Sequence, residues 1–414
     1  MKLVQFGAGN IGRSFIGQVF SQALWEVVFI DIDKKLLSLL NEKKQYTLVI
    51  KREGREDETR IVGPVRAVDG TDAAAVSGEL AGADIAASSV GKNALAGILP
   101  VIARGLLERR RRFGERPLDI IIAENARNAP ELFRTVLSRE LGALYPLDSL
   151  VGIVETSIGK MVPVMRKEDL ASDPLLLFAE EYETLIVDRR GFKGPLPDVK
   201  AVCPVEPIEA YVDRKLFIHN LGHAASAYLG YRQVPAAGQG LSIPRAMALP
   251  GVEEAVRGAM NQSAEALLAE YPGVFTRQDL SRHIDDLAAR FKNSALADSV
   301  YRVGRDLPRK LSRDDRLAGA MLLCAKHALP FGAIADVFLA ALDFACPGED
   351  GTLFPPDARF REQYGLPSFA DENRPRAVRR ALPRILSEVS LLDRNNPADF
   401  PVYSGLLAGA IPSP

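Results

Sequence analysis

The sequence predicts an α/β fold: a doubly wound sheet in the N-terminal half and a mainly α-helical C-terminal half. Three observations carry that expectation. The apolar run Leu3-Val-Gln-Phe6 leads straight into Gly7-x-Gly9-x-x-Gly12. Strand-like and helix-like segments then alternate as far as residue 155, and alanine-rich amphipathic stretches dominate after residue 208. At 414 residues the chain is too long for one ordinary core. Two domains are expected, 1–207 and 208–414.

Each glycine of the opening motif has its own task. Gly7 gives a tight turn, Gly9 lets backbone N–H groups approach a pyrophosphate, and Gly12 lets helix and strand pack closely. The positive end of a helix over 14–24 then faces the phosphates. This is the dinucleotide cradle of a Rossmann-type domain, so Gly7, Ala8, Gly9, Asn10, Ile11 and Gly12 are expected to hold the cofactor. Residues 25–31 read as a second buried strand ending in an acid nineteen positions after Gly12. The Asp31 carboxylate suits ribose hydroxyls and repels a 2′-phosphate, which favours NAD over NADP. Asp33 has the simpler task of N-cap for a helix over 34–43.

The winding continues after one excursion. Segments 46–50 and 60–68 are β-rich and flank the polar turn 51–59, a hairpin pattern. Helix 72–80, strand 84–89, helix 94–112, strand 118–123, helix 130–141 and strand 150–155 follow. Residues 174–207 are rich in proline and glycine, with β-like pieces at 176–178 and 184–187, and extend the first domain. Helical periodicity then marks 252–268, 280–291, 317–328 and 334–342.

Composition excludes several classes. A net charge of −1 gives no general attraction to nucleic acid or anionic membrane. The basic run Glu108-Arg-Arg-Arg-Arg-Phe113 sits at a helix end, where cations suit the macrodipole. Three widely spaced cysteines fit a reducing cytoplasm rather than a disulfide framework, and neither they nor the four histidines show a metal-ligand pattern. No run reaches the roughly 18 apolar residues needed to span a bilayer, and the first strand begins at Met1 without a leader pattern. A soluble cytoplasmic protein without metal is expected, a monomer or weak dimer whose partner is a small molecule.

In open parallel sheets ligands lie at the carboxyl ends of strands. Glu124 and Asn125 fall there, although both could simply cap the next helix. The most unusual polar cluster is Tyr211-Val-Asp-Arg-Lys215-Leu-Phe-Ile-His219-Asn220-Leu-Gly-His223. At about 100° per residue, Lys215, His219, Asn220 and His223 share one side of a helix. Oxidising an alcohol with NAD needs a base for the hydroxyl proton and donors for the developing oxygen charge. A partly desolvated Lys215 with Asn220 and Asn125 supplies those parts. Tyr211-x-x-x-Lys215 also matches the catalytic pair of short-chain dehydrogenases, which have another glycine spacing and a single domain. The β-hydroxyacid dehydrogenases offer a lysine and asparagine too, at closer spacing than Lys215 and Asn220.

With these residues together, the chain resembles the polyol-specific long-chain dehydrogenases, the mannitol dehydrogenase family. The resemblance begins with Phe6-Gly-Ala-Gly-Asn-Ile-Gly-Arg-Ser-Phe-Ile-Gly17 and passes through Ala123-Glu-Asn125 and Val151-Gly-Ile-Val154. It includes the Lys-x-x-x-x-Asn-x-x-His signature at Lys215, Asn220 and His223, then Arg290-Phe-Lys-Asn293, Arg302-Val-Gly-Arg305 and Pro308-Arg-Lys-Leu-Ser-Arg-Asp-Asp-Arg-Leu317. It implies a metal-independent oxidoreductase that interconverts D-mannitol 1-phosphate plus NAD with D-fructose 6-phosphate plus NADH. Lys215 would be the general base in oxidation and the acid in reduction, Asn125 and Asn220 would hold the reacting oxygen, and His223 would orient substrate and lysine. His219 lies at a position the signature leaves open.

This chain departs from the pattern at Glu155-Thr156, at Gly159-Lys160, at Ser294 in place of proline, and in extra residues over 344–374. A related oxidoreductase of free mannitol, fructose, tagaturonate or fructuronate is therefore the alternative, and a non-catalytic NAD-binding protein a further one. Arg302, Arg305, Arg309, Lys310 and Arg316 are the candidate cations for a substrate phosphate. Asp306, Asp314 and Asp315 could instead neutralise them.

Overall fold

The computed structural model describes residues 1–124, 129–162, 165, 167–296, 298–367 and 371–410. The chain divides into two compact units, Met1–Tyr211 and Val212–Pro414.

Among the described residues, eleven strands build the first unit: β1 (Lys2–Phe6), β2 (Glu26–Asp31), β3 (Tyr46–Ile50), β4 (Glu58–Val62), β5 (Val65–Asp69), β6 (Ile85–Ser88), β7 (Leu118–Ile122), β8 (Val151–Ser157), β9 (Leu177–Ala179), β10 (Leu185–Asp188) and β11 (Val202–Val205). Eight form a sheet in the order β11-β10-β8-β7-β6-β1-β2-β5. From β5 to β8 every neighbour is parallel, β10 returns antiparallel to β8, and β11 runs parallel to β10. The chain winds outward through β2 and β5, then crosses to β6 on the other side of β1. The switch point therefore lies between β1 and β6, where such sheets receive ligands.

Both faces of this sheet are covered, so successive strand residues are buried on opposite sides. Leu3, Val27, Phe29, Ile85, Ala87 and Ile121 pack with Phe15, Ile16, Val19 and Phe20. Val4, Phe6, Val28, Ile30, Ala86, Ile120 and Ile122 pack with Val76, Leu80, Leu99 and Ile102 on the other face. The helices that cover it include α1 (Gln18–Gln22), α2 (Lys34–Lys43), α3 (Ala73–Ala81), α4 (Leu95–Phe113) and α5 (Ala129–Leu141). Asp33 caps α2, accepting from the N–H groups of Lys35 and Leu36.

Two expectations need correction. The β-rich segment 60–68 is two strands, because Gly63-Pro64 breaks it and Pro64 has no N–H for a ladder. β4 stays antiparallel to β3 in a small sheet with β9, while β5 joins the main sheet beside β2. The proline- and glycine-rich stretch also holds one more strand than its composition suggests, β11. Pro204 is tolerated there because β11 is the sheet edge.

The second unit has no named strand among the described residues. Its central helix, Leu221–Gln233, is buried on almost every side. That requires small residues: a Cβ on Gly222 would overlap the Met260 sulfur, and one on Gly230 would overlap Ala246. Val252–Glu270, Arg277–Phe291, Ala318–Lys326 and Gly332–Asp343 follow the predicted periodicity, and a Thr276–Asp279 capping box starts the second of these. Pro355–Tyr364, Arg374–Glu388 and Phe400–Gly409 are further helices that the periodicity left unassigned.

Candidate active site

The glycine turn sits at the carboxyl end of β1, beside the switch point. Gly7 has φ of +90°, and its N–H donates to the Ile30 carbonyl at 2.8 Å. A Cβ on Gly12 would overlap the Gly7 carbonyl oxygen, whereas one on Gly9 would meet nothing within 4 Å. The first glycine is thus fixed by conformation and the third by packing. The middle one leaves bare backbone facing open space, the shape a pyrophosphate needs. Asn10 and Ile11 begin the helical stretch that continues through a π-helical segment, Gly12–Gly17, into α1.

Several side chains hold this turn. One oxygen of Asp31 accepts from the Ala8 N–H at 2.7 Å, and the other accepts from Ile32 and Asp33 N–H at 2.7 and 3.1 Å. Three of its roughly four acceptor positions are therefore taken, leaving about one for a ribose hydroxyl. Gln5, buried within the apolar strand, donates to the carbonyls of Phe6 and Gly7 and to Ser89 Oγ at 2.6, 3.2 and 2.9 Å. Arg13 is buried too, donating to the Ala8 carbonyl at 2.7 Å and the Leu175 carbonyl at 3.0 Å. Glu124 organises the neighbouring loop, accepting from Ser88 Oγ, Val90 N–H and Gly91 N–H at 2.7, 2.8 and 3.0 Å. Asn125 lies outside the described residues.

In the second unit the signature residues stand on an unusual helix. Lys215–Asn220 is π-helical, between Ile208–Arg214 and Leu221–Gln233, which are α-helical. The expected 100° step therefore fails just where it matters. In a segment closed by i→i+5 bonds, residues five apart stand roughly one turn apart, so Lys215 and Asn220 align. His223, three residues past Asn220 in the α-helical part, continues the row. Single π turns inside α-helices recur at functional sites.

Burial brings the Lys215 ammonium down to about 8, with the charge of Arg316 adding to the effect. Arg316 itself is held by Asp315 at 2.7 Å and donates to the Asn220 carbonyl at 3.3 Å. His219 is 5% exposed, and burial holds it well below its ordinary value. It packs against Phe291 rather than forming part of a solvated stripe, with ring centroids 5.9 Å apart.

His223 is stacked on Phe291, centroids 5.0 Å apart and planes within 6°. Its Nε2 lies 3.2 Å from Asp298 Oδ2. Burial raises the Asp298 carboxyl, but the contacts from His223 and Arg302 outweigh it and hold the group below the usual carboxylate range. Sequence reasoning missed Asp298; its one signal was a position four residues before Arg302, one helical turn away.

The five candidate cations separate clearly. Arg302 donates to Asp298 from two nitrogens. Arg309 pairs with Asp306 at 2.6 Å and Asp315 at 3.1 Å. Lys310 is 4% exposed and donates to the carbonyls of Val303 and Arg305. Arg316 is paired with Asp315 as above. Arg305 alone of the five has a side chain with neither an ion pair nor a hydrogen bond among the described residues. Its guanidinium lies 5.5 Å from the Tyr301 ring centroid and 5.2 Å from that of Phe354. Its backbone is pinned on both sides, since Tyr228 Oη donates to the Gly304 carbonyl at 2.8 Å and Lys310 Nζ donates to its own carbonyl.

Residues 1–201 match the mannitol dehydrogenase Rossmann domain, and residues 207–370 match the mannitol dehydrogenase C-terminal domain. The chain belongs to the mannitol dehydrogenase family. Among curated members, the mannitol-1-phosphate 5-dehydrogenase of Bacillus licheniformis is 35% identical over 354 residues, 84% of this chain and 88% of that one. That of Brevibacillus brevis is 33% identical over 350 residues, 84% and 87% of the two chains. Among solved structures, Pseudomonas fluorescens mannitol 2-dehydrogenase, a ternary complex with NAD and D-mannitol, superposes with a TM-score of 0.71 at 17% identity over 99% of this chain and 91% of that one. A substrate-free D-sorbitol dehydrogenase gives the same TM-score at 16% identity over 99% and 94%. At such identities the family's fold is shared, as both the sheet and the helical unit attest.

The departures from the family pattern have local roles. Thr156 Oγ donates to the Ile122 carbonyl at 2.8 Å, tying β8 to β7. Lys160 is buried, donates to Gln18 Oε1 at 3.2 Å and lies 5.4 Å from the Phe15 ring centroid. Ser294 opens a short 3-10 turn, Ser294–Leu296. No helix among the described residues is long and apolar enough to cross a membrane.

Proposed function

We propose that this chain is an NAD-dependent mannitol-1-phosphate 5-dehydrogenase, which interconverts D-mannitol 1-phosphate and D-fructose 6-phosphate. The observation that carries the mechanism is Lys215, brought to about 8 and aligned by a π turn with Asn220 and His223. The bare Gly9 backbone, the positive-φ Gly7 and Asp31 fit NAD, which when bound takes up the hydride. In polyol oxidation neutral Lys215 Nζ removes the proton from the reacting hydroxyl. The Asn220 side chain donates to the oxygen as charge develops on it, and His223 holds a neighbouring hydroxyl. Reduction reverses these roles, with the Lys215 ammonium as acid. Asn125 would be a second donor to the reacting oxygen.

Arg305 takes the substrate phosphate. A guanidinium lying beside two aromatic rings, with a fixed backbone and no internal acid, presents its N–H groups to an anion at little reorganisation cost. Lys310 is committed to backbone carbonyls and Arg302 to Asp298, so neither is spare. The protein works in the cytoplasm on this small molecule as a monomer or weak dimer, without membrane or nucleic acid partners.

The deciding experiment measures NADH change with mannitol 1-phosphate, mannitol, tagaturonate and fructuronate in one panel. Mannitol 1-phosphate should have the highest kcat/KM. An equal or higher value for an unphosphorylated substrate would exclude the phosphate reading, and cofactor binding without turnover would exclude catalysis. The pH dependence has a defined sign. Oxidation needs neutral Lys215 and should rise through a pH of about 8, while reduction needs the ammonium and should fall through the same point. Profiles moving together would remove Lys215 as the proton carrier.

A further inference from the structure

We infer that Asp298 is a positioning residue that fixes the tautomer and ring orientation of His223, with Arg302 as its clamp. The inference rests on the functional reading above and adds a third layer to the Lys–Asn–His row. Asp298 is 7% exposed, and its Oδ2 lies 3.2 Å from His223 Nε2. Arg302 Nε donates to Oδ1 at 2.6 Å and its terminal nitrogen donates to Oδ2, so the carboxylate cannot rotate. A charge buried at this depth is tolerable because Arg302 neutralises it.

An ionised carboxylate only accepts hydrogen bonds. Nε2 of His223 therefore carries the proton, and in the neutral ring Nδ1 becomes the acceptor. Phe291, parallel to the imidazole at 5.0 Å, restricts ring rotation from the other side. His223 is thus held by one polar partner and one apolar partner, both far from it in sequence. It offers an acceptor nitrogen to a substrate hydroxyl beside the one that Lys215 deprotonates. The Arg302 clamp gives a reason why that basic residue is unavailable to a phosphate.

Two measurements test this. In the full-length wild-type protein, 15N-labelled at its four histidines, the His223 resonances should report Nε2–H and an unprotonated Nδ1. Assignment comes from their loss in His223→Asn. An Nδ1–H tautomer would overturn the inference, and this arm needs no Asp298 variant to fold. In the second arm, Asp298→Asn replaces the acceptor with an amide that can present either edge. It should lower kcat/KM by on the order of ten- to a hundredfold, give a mixed His223 tautomer, and leave the NADH dissociation constant unchanged. Wild-type turnover is the control that separates the two possible failures. No turnover of any polyol defeats the parent reading, whereas turnover that Asp298→Asn leaves intact defeats this one.

Discussion

The glycine turn of the first unit and the Lys215–His223 helix of the second both use a six-residue π-helical segment, Gly12–Gly17 and Lys215–Asn220. They differ in which part of the chain does the work. At the turn the backbone is the instrument, and side chains such as Gln5, Arg13 and Asp31 hold it in shape. On the helix the side chains are the instrument, and their aim depends on helical pitch and on Phe291 and Asp298, some seventy residues away. A backbone site tolerates changes of side chain but not of conformation. A side-chain site does the reverse.

That contrast can be broken most sharply at Lys215. Lys215→Ala should lower kcat for polyol oxidation by roughly a thousandfold or more while leaving NADH binding intact. Full activity would remove the lysine from the chemistry. Gly12→Ala is the mirror case: its methyl overlaps the Gly7 carbonyl, so NADH affinity should fall by about a hundredfold and Tm by several degrees, each measurable without substrate. Retained affinity would show that the turn is more pliant than its geometry implies. Arg305→Gln should raise KM for mannitol 1-phosphate by about ten- to a hundredfold, the value of a charged hydrogen bond. Activity on mannitol should stay unchanged, and equal losses on both substrates would move the phosphate elsewhere. Asp31→Ala should narrow the preference for NAD over NADP by about tenfold. It should also lower Tm, because the Ala8 N–H loses its acceptor. An unchanged cofactor ratio would leave Asp31 with a structural role alone.

The same contrast explains what could be read from the chain. The glycines were legible because conformation and close approach exclude other residue types, and the spacing is local. The alternating sheet was legible because burial on both faces leaves continuous apolar strands. The division of 60–68 into two strands was less so, since only Gly63-Pro64 marks where the chain leaves one sheet for another. Lys215, Asn220 and His223 stood out as residue types, but their alignment did not follow from a 3.6-residue pitch. Asp298 offered only its spacing from Arg302, because its meaning comes from the fold placing the segment just before the helix Val300–Gly304 beside His223. The five basic residues near 302–316 were visible as a cluster. Their separation into four committed cations and Arg305 depends on which acids and carbonyls the fold brings beside each.

The π segment at Lys215–Asn220 also bears on how such a helix could change over time. A π turn is what an α-helix accommodates when one residue is added and both flanking helical stretches keep their packing. A single-residue insertion or deletion between Lys215 and Asn220 would therefore change which residues stand above one another within this segment while the helical stretches before and after it stay in place. Removing one residue, for example Ile218, would restore a lysine and asparagine four apart, nearer the closer spacing of the β-hydroxyacid dehydrogenases. The relative aim of a proton carrier and its neighbours is thus adjustable by one insertion or deletion, a coarser and faster step than accumulating substitutions. New substrate shapes could be met by re-indexing one helix over an unchanged cofactor domain.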